Sequence, residues 1–255
     1  MLFLTGDCHG DFRRFSTKAF PAQKTMTKED LVVILGDAGF LWDGSKQDTW
    51  WLDWLDTKPF TTLNIGGNHE NYDLLEQYPK IHWNKGIAYQ LRPSVLHLCR
   101  GQIYDLDGHK TFVMGGAESH DMDVILPPGP DQVRERRRLK KQGIPYRVRG
   151  ESWWPQELPS PPEHGLAWYH LHQAGLAVDL ILTHCAPSHI QQQLAPRYPT
   201  NELTTFLQLV KDMVSYKHWF CGHYHQSWKS EKDHFQVLYE EIIPLEKGVS
   251  YADGN

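Results

Sequence analysis

The chain has 255 residues, of which 40% are hydrophobic and 22% charged, enough for a substantial core under an ordinary polar surface. Its formal net charge of −5 argues against a surface built to coat nucleic acid, and no run of eighteen apolar residues exists to span a membrane. Four scattered cysteines without a CxxC pair exclude a zinc ribbon and a disulfide framework, so a reducing cytoplasm is the expected setting.

The opening MLFLTGDCHG holds a short apolar run, Leu2–Thr5, with no basic n-region or cleavage site, and reads as a first strand rather than a signal peptide. A helix-like stretch follows over Phe12–Phe20, then a strand over Leu31–Leu35, a helix over Gln47–Asp56 and a strand over Thr61–Ile65. The middle block differs. Ile87–Gln90, Val95–Leu98, Gln102–Leu106 and Thr111–Met114 are short strand-like runs broken by turns such as Asp107-Gly108, and they suggest antiparallel hairpins.

Residues 119–162 are the least regular part and read as an insertion over the body of a single domain spanning 1–255. This insertion carries the Pro-Pro-Gly-Pro run at 127–130, a basic stretch from Arg134 to Lys141, and the pair Trp153-Trp154. Six Lys or Arg in that stretch could attract an anionic substrate, though charge runs are commonly solvated helix faces. Beyond it come helices over Pro162–Ala174 and Asn201–Ser215, the latter with Thr200 or Asn201 as N-cap, and strands over Asp179–Thr183 and His218–Cys221. Strands alternating with helices at this spacing give an α/β fold, and runs apolar on both alternations suggest strands covered by helices on both faces.

Five of these strand-like runs end in turns rich in metal-binding side chains. In chain order they offer Asp7 and His9, then Asp37, then Asn68 with His69, then His184, then His223 and His225. In an open α/β sheet such turns converge beyond the carboxyl ends of the strands. Residues two apart in an extended segment point the same way, so Asp7 with His9 and His223 with His225 could each aim a pair inward. A lone strand-end histidine is more often structural; five in company of these carboxylates read as ligands. The eight histidines outside any motif keep the structural reading, His120 and His189 stay unassigned, and Cys8, Cys185 and Cys221 read as small apolar packing residues.

The ordered set D-x-H, G-D, G-N-H-E, strand-end His and G-H-x-H resembles the calcineurin-like metallophosphoesterase superfamily, over residues 1 to about 240. That resemblance implies a four-layer α/β/β/α sandwich with two mixed sheets flanked by helices. It further implies two divalent transition metal ions, Mn above all, with Fe, Zn, Co or Ni possible, a choice that imidazole, carboxylate and amide donors suit. Asp7, His9 and His225 resemble the ligands of one ion; Asn68, His184 and His223 resemble those of the other; Asp37 is the shared carboxylate. The pair would generate hydroxide at neutral pH to attack phosphorus, and His69 resembles the histidine that protonates the leaving group.

The implied activity is hydrolysis of a small-molecule phosphomonoester or phosphodiester. A nuclease is the alternative, favoured only by the basic stretch, and a metal-free scaffold is less so because no ligand motif is missing. The segments Gly115-Gly116-Ala117 with Ser119 and Asp121, and Ser152-Trp153-Trp154 with Glu157, look like a group of small bacterial phosphoesterases within the superfamily. The turn after Gly36-Asp37 lacks the Asp-Arg pair by which phosphoprotein phosphatases hold phosphate, which weakens that activity here unless an arginine of the insertion substitutes.

Overall fold

A computed structural model describes residues 1–245. In chain order it contains β1 (Leu2–Thr5), β2 (Leu31–Ile34), α1 (Lys46–Asp56), β3 (Thr61–Ile65), α2 (Tyr72–Leu75), β4 (Lys80–Trp83), β5 (Gly86–Arg92), β6 (Val95–Leu98), β7 (Gln102–Leu106) and β8 (His109–Met114). The insertion adds β9 (Val124–Leu126), α3 (Gln132–Gln142) and β10 (Tyr146–Val148). The remainder comprises α4 (Pro161–Gln173), β11 (Leu180–Thr183), α5 (Ser188–Leu194), α6 (Glu202–Met213), β12 (His218–Cys221), β13 (Trp228–Ser230), β14 (Phe235–Val237) and β15 (Ile242–Leu245).

These strands form two large mixed sheets, ordered β15-β1-β2-β3-β6-β5-β4 and β13-β14-β12-β11-β8-β7, flanked by helices. The period-2 rule explains the layering. Leu2, Leu4, Leu31 and Val33 point inward against Val113, Leu180, Leu182 and Phe220 of the second sheet. Phe3, Val32 and Ile34 point outward, under Leu52 and Leu55 of α1 and the aromatic rings of Phe12, Phe15 and Phe60. On the other side Ile181 and Trp219 face Leu171 of α4 and Leu207 and Val210 of α6. The central strands are therefore buried by helices on one face and by the opposite sheet on the other. Continuous apolar runs reveal burial on both faces but not which layer does the burying.

A further expectation is corrected. Phe12–Phe20 is no α-helix: two short 3-10 turns, Arg13–Phe15 and Pro21–Thr25, flank an irregular stretch. Pro21 disfavours α geometry at Phe20, and Phe12, Phe15 and Phe20 are all buried, a spacing set by the core rather than by a 3.6-residue repeat. The middle block does form hairpins, including β7–β8 around Asp107-Gly108 with positive φ at both residues, but it is divided. β4, β5 and β6 extend the first sheet, while β7 and β8 edge the second. Asn201 is the N-cap of α6, accepting from the Thr204 amide at 2.9 Å.

Within the insertion, β9 and β10 pair in parallel, and α3 packs on them through Leu139 against Leu126 and Val148. The basic stretch lies on α3. Arg136 is engaged by Glu151, and Arg138 by Glu135 at 2.7 Å, so two of its arginines are committed within the insertion.

Candidate metal centre

β1, β2 and β3 are parallel neighbours in one sheet, and β11 and β12 are parallel neighbours in the other. Parallel neighbours end at the same edge, so the turns following these five strands meet at one rim. The Asp7 carboxylate is fully buried there and is surrounded by imidazoles: His225 Nε2 lies 3.1 Å and His9 Nε2 3.6 Å from its Oδ2. The two ring nitrogens are themselves 2.9 Å apart. Asp37 Oδ1 is 3.4 Å from His184 Nε2, which is in turn 3.3 Å from Asn68 Oδ1. The His223 ring centroid sits 5.0 Å from that of His184.

Three groupings bring potential ligand atoms within 4.8 Å of one another: Asp7, His9 and His225; His9, Asp37 and His69; and Asp7, Asp37 and His184. Both carboxylates thus belong to more than one grouping. His69 lies closer to His9 and Asp37 than its separate assignment implied. Asn68 and His223 stand at the His184 side.

Local backbone geometry aims these side chains. His9, Asp37, His223 and His225 all have positive φ, between 47° and 71°. Four non-glycine residues in a sparsely populated region are strained, and such strain persists only where surrounding structure enforces it. The side-chain pairs therefore converge through left-handed turns, not through the alternation of an extended strand. Close approach is the second device. A Cβ added to Gly67 would fall 2.0 Å from Asp37 Oδ1, and one added to Gly222 would fall 2.4 Å from Asp7 Oδ1. Glycine at these positions lets backbone cradle each carboxylate.

Hydrogen bonds orient the donors. The His69 amide donates to Asp37 Oδ1 at 2.7 Å and the His223 amide to Asp7 Oδ1 at 2.9 Å. His184 Nδ1 donates to the Leu35 carbonyl at 2.7 Å, which turns Nε2 toward the site. Asn68 Nδ2 donates to Ser119 Oγ at 3.3 Å, which turns its oxygen inward, and Ser119 Oγ donates to Glu157 Oε2 at 2.7 Å. The two segments around Ser119 and Glu157, distant in sequence, are therefore one support for Asn68.

The electrostatics are those of a site needing cations. Burial alone would raise the Asp7 pKa, but His184, His225, His9 and the His223 amide outweigh it and hold the carboxyl far below the usual range. Asp37 is likewise opposed by burial yet lowered to about 2, chiefly by His184, whose own pKa is carried to about 9 against burial by Asp37 and Asp7. Burial pushes His223 down to about 3. Among the described residues His223 Nε2 is buried without a hydrogen-bond partner, and Asp7 Oδ2 faces the imidazoles of His225 and His9, an arrangement that coordination of a cation would satisfy. Imidazole, carboxylate and amide oxygen fit a divalent transition metal.

Sequence reasoning passed over several neighbours. Arg147 on β10 pairs with Asp121, its Nε 3.2 Å from Oδ1, and both lie close enough to His69 to act on its pKa. Burial lowers that pKa, Asp37 opposes, and Arg147 adds to the lowering. His120 stacks on Tyr198 at 3.8 Å with its ring 6.0 Å from that of His223. A cleft of about 310 Å³ opens beside His9 and His69, with Trp42 and Trp51 in its wall. Arg147 gave no signal because nothing in its sequence surroundings separates it from the six basic residues of the preceding helix.

Residues 2–227 match the family of calcineurin-like phosphoesterases. No curated protein matches the sequence. Among solved structures, the phosphopantetheinyl hydrolase PptH from Mycobacterium tuberculosis is similar at 13% identity and a TM-score of 0.37, over 99% of this chain and 98% of that one.

Proposed function

Since the chain belongs to the calcineurin-like phosphoesterase family, we propose that it is a binuclear metal-dependent hydrolase of small-molecule phosphomonoesters or phosphodiesters. Asp7, His9 and His225 would hold one ion, Asn68, His184 and His223 the other, with Asp37 between them. One observation carries this reading: the buried Asp7 and Asp37 carboxylates bring their oxygens within 4.8 Å of the ring nitrogens of His9, His225 and His184, with His223 Nε2 buried beside them and without a hydrogen-bond partner among the described residues. Ions bound there supply a low-pKa water as nucleophile and offset charge on the phosphate oxygens.

The chain's own residues do the rest. The His69 and His223 amides and the glycine-lined backbone fix the two carboxylates, so that little reorganisation is needed when charge develops. Arg147 of the insertion, which acts on the His69 pKa and pairs with Asp121, is proposed to draw phosphate toward the rim in place of the arginine absent from the Asp37 turn. His69 is the residue proposed to pass a proton to the departing alkoxide. Mn is the metal proposed first, with Fe, Zn, Co and Ni as alternatives. All four cysteines are free, which suits a reducing compartment such as the cytoplasm, and no helix among the described residues is long and apolar enough to cross a membrane.

A panel of p-nitrophenyl phosphate, bis-p-nitrophenyl phosphate and single-stranded DNA, run with each divalent metal, tests the reading. Turnover of the small esters with Mn²⁺ is expected, together with two metals per chain. Asp37→Asn should lose activity and metal together, whereas His69→Ala should keep its metal and slow about 10²–10⁴-fold. Preferred cleavage of DNA would make the protein a nuclease, and less than one metal per chain with Mn²⁺ supplied would make it a scaffold.

A further inference from the structure

The cleft of about 310 Å³ beside the rim is continuous with it, because His9 and His69 line both. If His69 protonates the leaving group, the cleft lies on the side where the released alcohol sits; the inference therefore rests on the phosphoesterase reading. Its wall is unusual in one respect. Trp42 is 36% exposed, while Trp154 behind it is only 2% exposed. The Trp154 ring meets Trp42 edge-on with centroids 6.3 Å apart, and its Nε1 donates to Asp73 at 2.8 Å, which pins the backing ring.

The Trp42 backbone is held at both ends, its amide donating to Asp48 Oδ2 at 2.7 Å and its carbonyl accepting from Asn71 Nδ2 at 2.8 Å. The indole leans 30° from the His69 ring with centroids 6.4 Å apart. A large aromatic fixed in this way and left partly bare beside a polar site offers a flat stacking surface at little entropic cost. Buried Trp154 cannot serve in this way.

Charge narrows the occupant. Among the described residues no Lys or Arg lines the cleft; its polar groups include Asp43, Ser45 and Gln47. Asp48 is already spent, its Oδ2 accepting from the amides of Trp42, Asp43 and Gly44. A leaving group bearing further phosphates or a carboxylate would meet acceptors without a counter-charge. Ser45 Oγ likewise accepts from the Gln47 and Asp48 amides and Asp43 Oδ1 from the Ser45 amide, so a neutral flat heterocycle would meet a stacking face bordered by the Asp43 carboxylate and the Gln47 side chain. We propose that the cleft is a ring-binding subsite in which Trp42 stacks the heterocycle of a nucleoside-like alcohol, making nucleoside monophosphate esters the substrate class.

Adenosine 5′-monophosphate and ribose 5-phosphate are esters of the same kind of primary alcohol and differ in the ring. Wild-type kcat/KM should favour the adenosine ester, and Trp42→Ala should remove about 5- to 100-fold of that preference, the range of base stacking on an aromatic side chain. Metal content should stay unchanged, and Trp42→Phe should keep most of the preference. Independently of any variant, adenosine should inhibit p-nitrophenyl phosphate hydrolysis competitively at concentrations where ribose does not. Equal kcat/KM for the two esters, or turnover of p-nitrophenyl phosphate with no inhibition by adenosine, would overturn the subsite and leave the phosphoesterase standing. No turnover of any ester under any metal would instead remove the reading beneath it.

Discussion

Single atoms decide the geometry of this centre. Asp37 is held by the His69 amide at 2.7 Å, and the Gly67 backbone passes so close that a methyl group there would meet the carboxylate at 2.0 Å. Real Cβ contacts of that length do not occur, so either the loop or Asp37 must move. We expect Gly67→Ala to fold, to bind metal about 10- to 100-fold more weakly and to lose activity in proportion, the cost usual for disturbing a group that orients a ligand. Metal titration beside circular dichroism checks this; unchanged affinity in a folded variant would show that the loop yields instead. Ser119 belongs to the same scale: it takes the Asn68 amide and gives its own hydroxyl to Glu157, fixing which atom of Asn68 faces inward. The ligands themselves were legible in sequence because turn motifs keep them local. Ser119 and Glu157 stood out only as motifs, since a hydrogen bond between segments 38 residues apart leaves no mark in either.

At the scale of elements, the insertion contributes through a strand rather than through its charged helix. Arg136, Arg138 and Arg147 are all ion-paired, with Glu151, Glu135 and Asp121, and of the three Arg147 is the one that acts on His69. Replacing Arg147 with Ala should raise KM for a phosphomonoester about 10-fold or more, as expected for loss of a charge-assisted contact to phosphate, with Lys recovering part of it. The double variant Arg136→Ala with Arg138→Ala should change KM less than about twofold. Steady-state kinetics on the three proteins decides the matter, and equal effects would return the role to the helix. Composition drew attention to α3 because six basic residues within eight positions are conspicuous. A single arginine delivered by parallel pairing of β10 with β9 is not.

For the molecule as a whole, stability should depend on acid through a histidine remote from catalysis. His97 on β6 is buried, and burial with help from Arg100 depresses its pKa to about 3. Its Nδ1 faces the Asn64 amide at 3.3 Å, a bond that needs the ring unprotonated there. Between pH 6.5 and about 3 the unfolded chain takes up a proton at this site that the folded chain refuses. The contribution is thus complete above pH 6.5 and is lost as pH falls toward 3, by up to about 1.4 kcal/mol per pH unit. Urea midpoints measured from pH 7 to 4.5 should fall less steeply for His97→Asn than for the wild type; parallel curves would refute the assignment.

The same contrast between chain and fold runs through the molecule. Sequence by itself determined the α/β alternation, the order of the motif-bearing turns and the choice of candidate metal-binding side chains, because strand periodicity and turn chemistry are local. Only the tertiary structure decided that the apolar strands are shared between two facing sheets, that Phe12–Phe20 gives up helix for core packing, that four ligands lean on left-handed backbone, and that Arg147 and Trp42 stand at the rim. Each of these depends on contacts between residues far apart in the chain, and their energies appear only once the layers close.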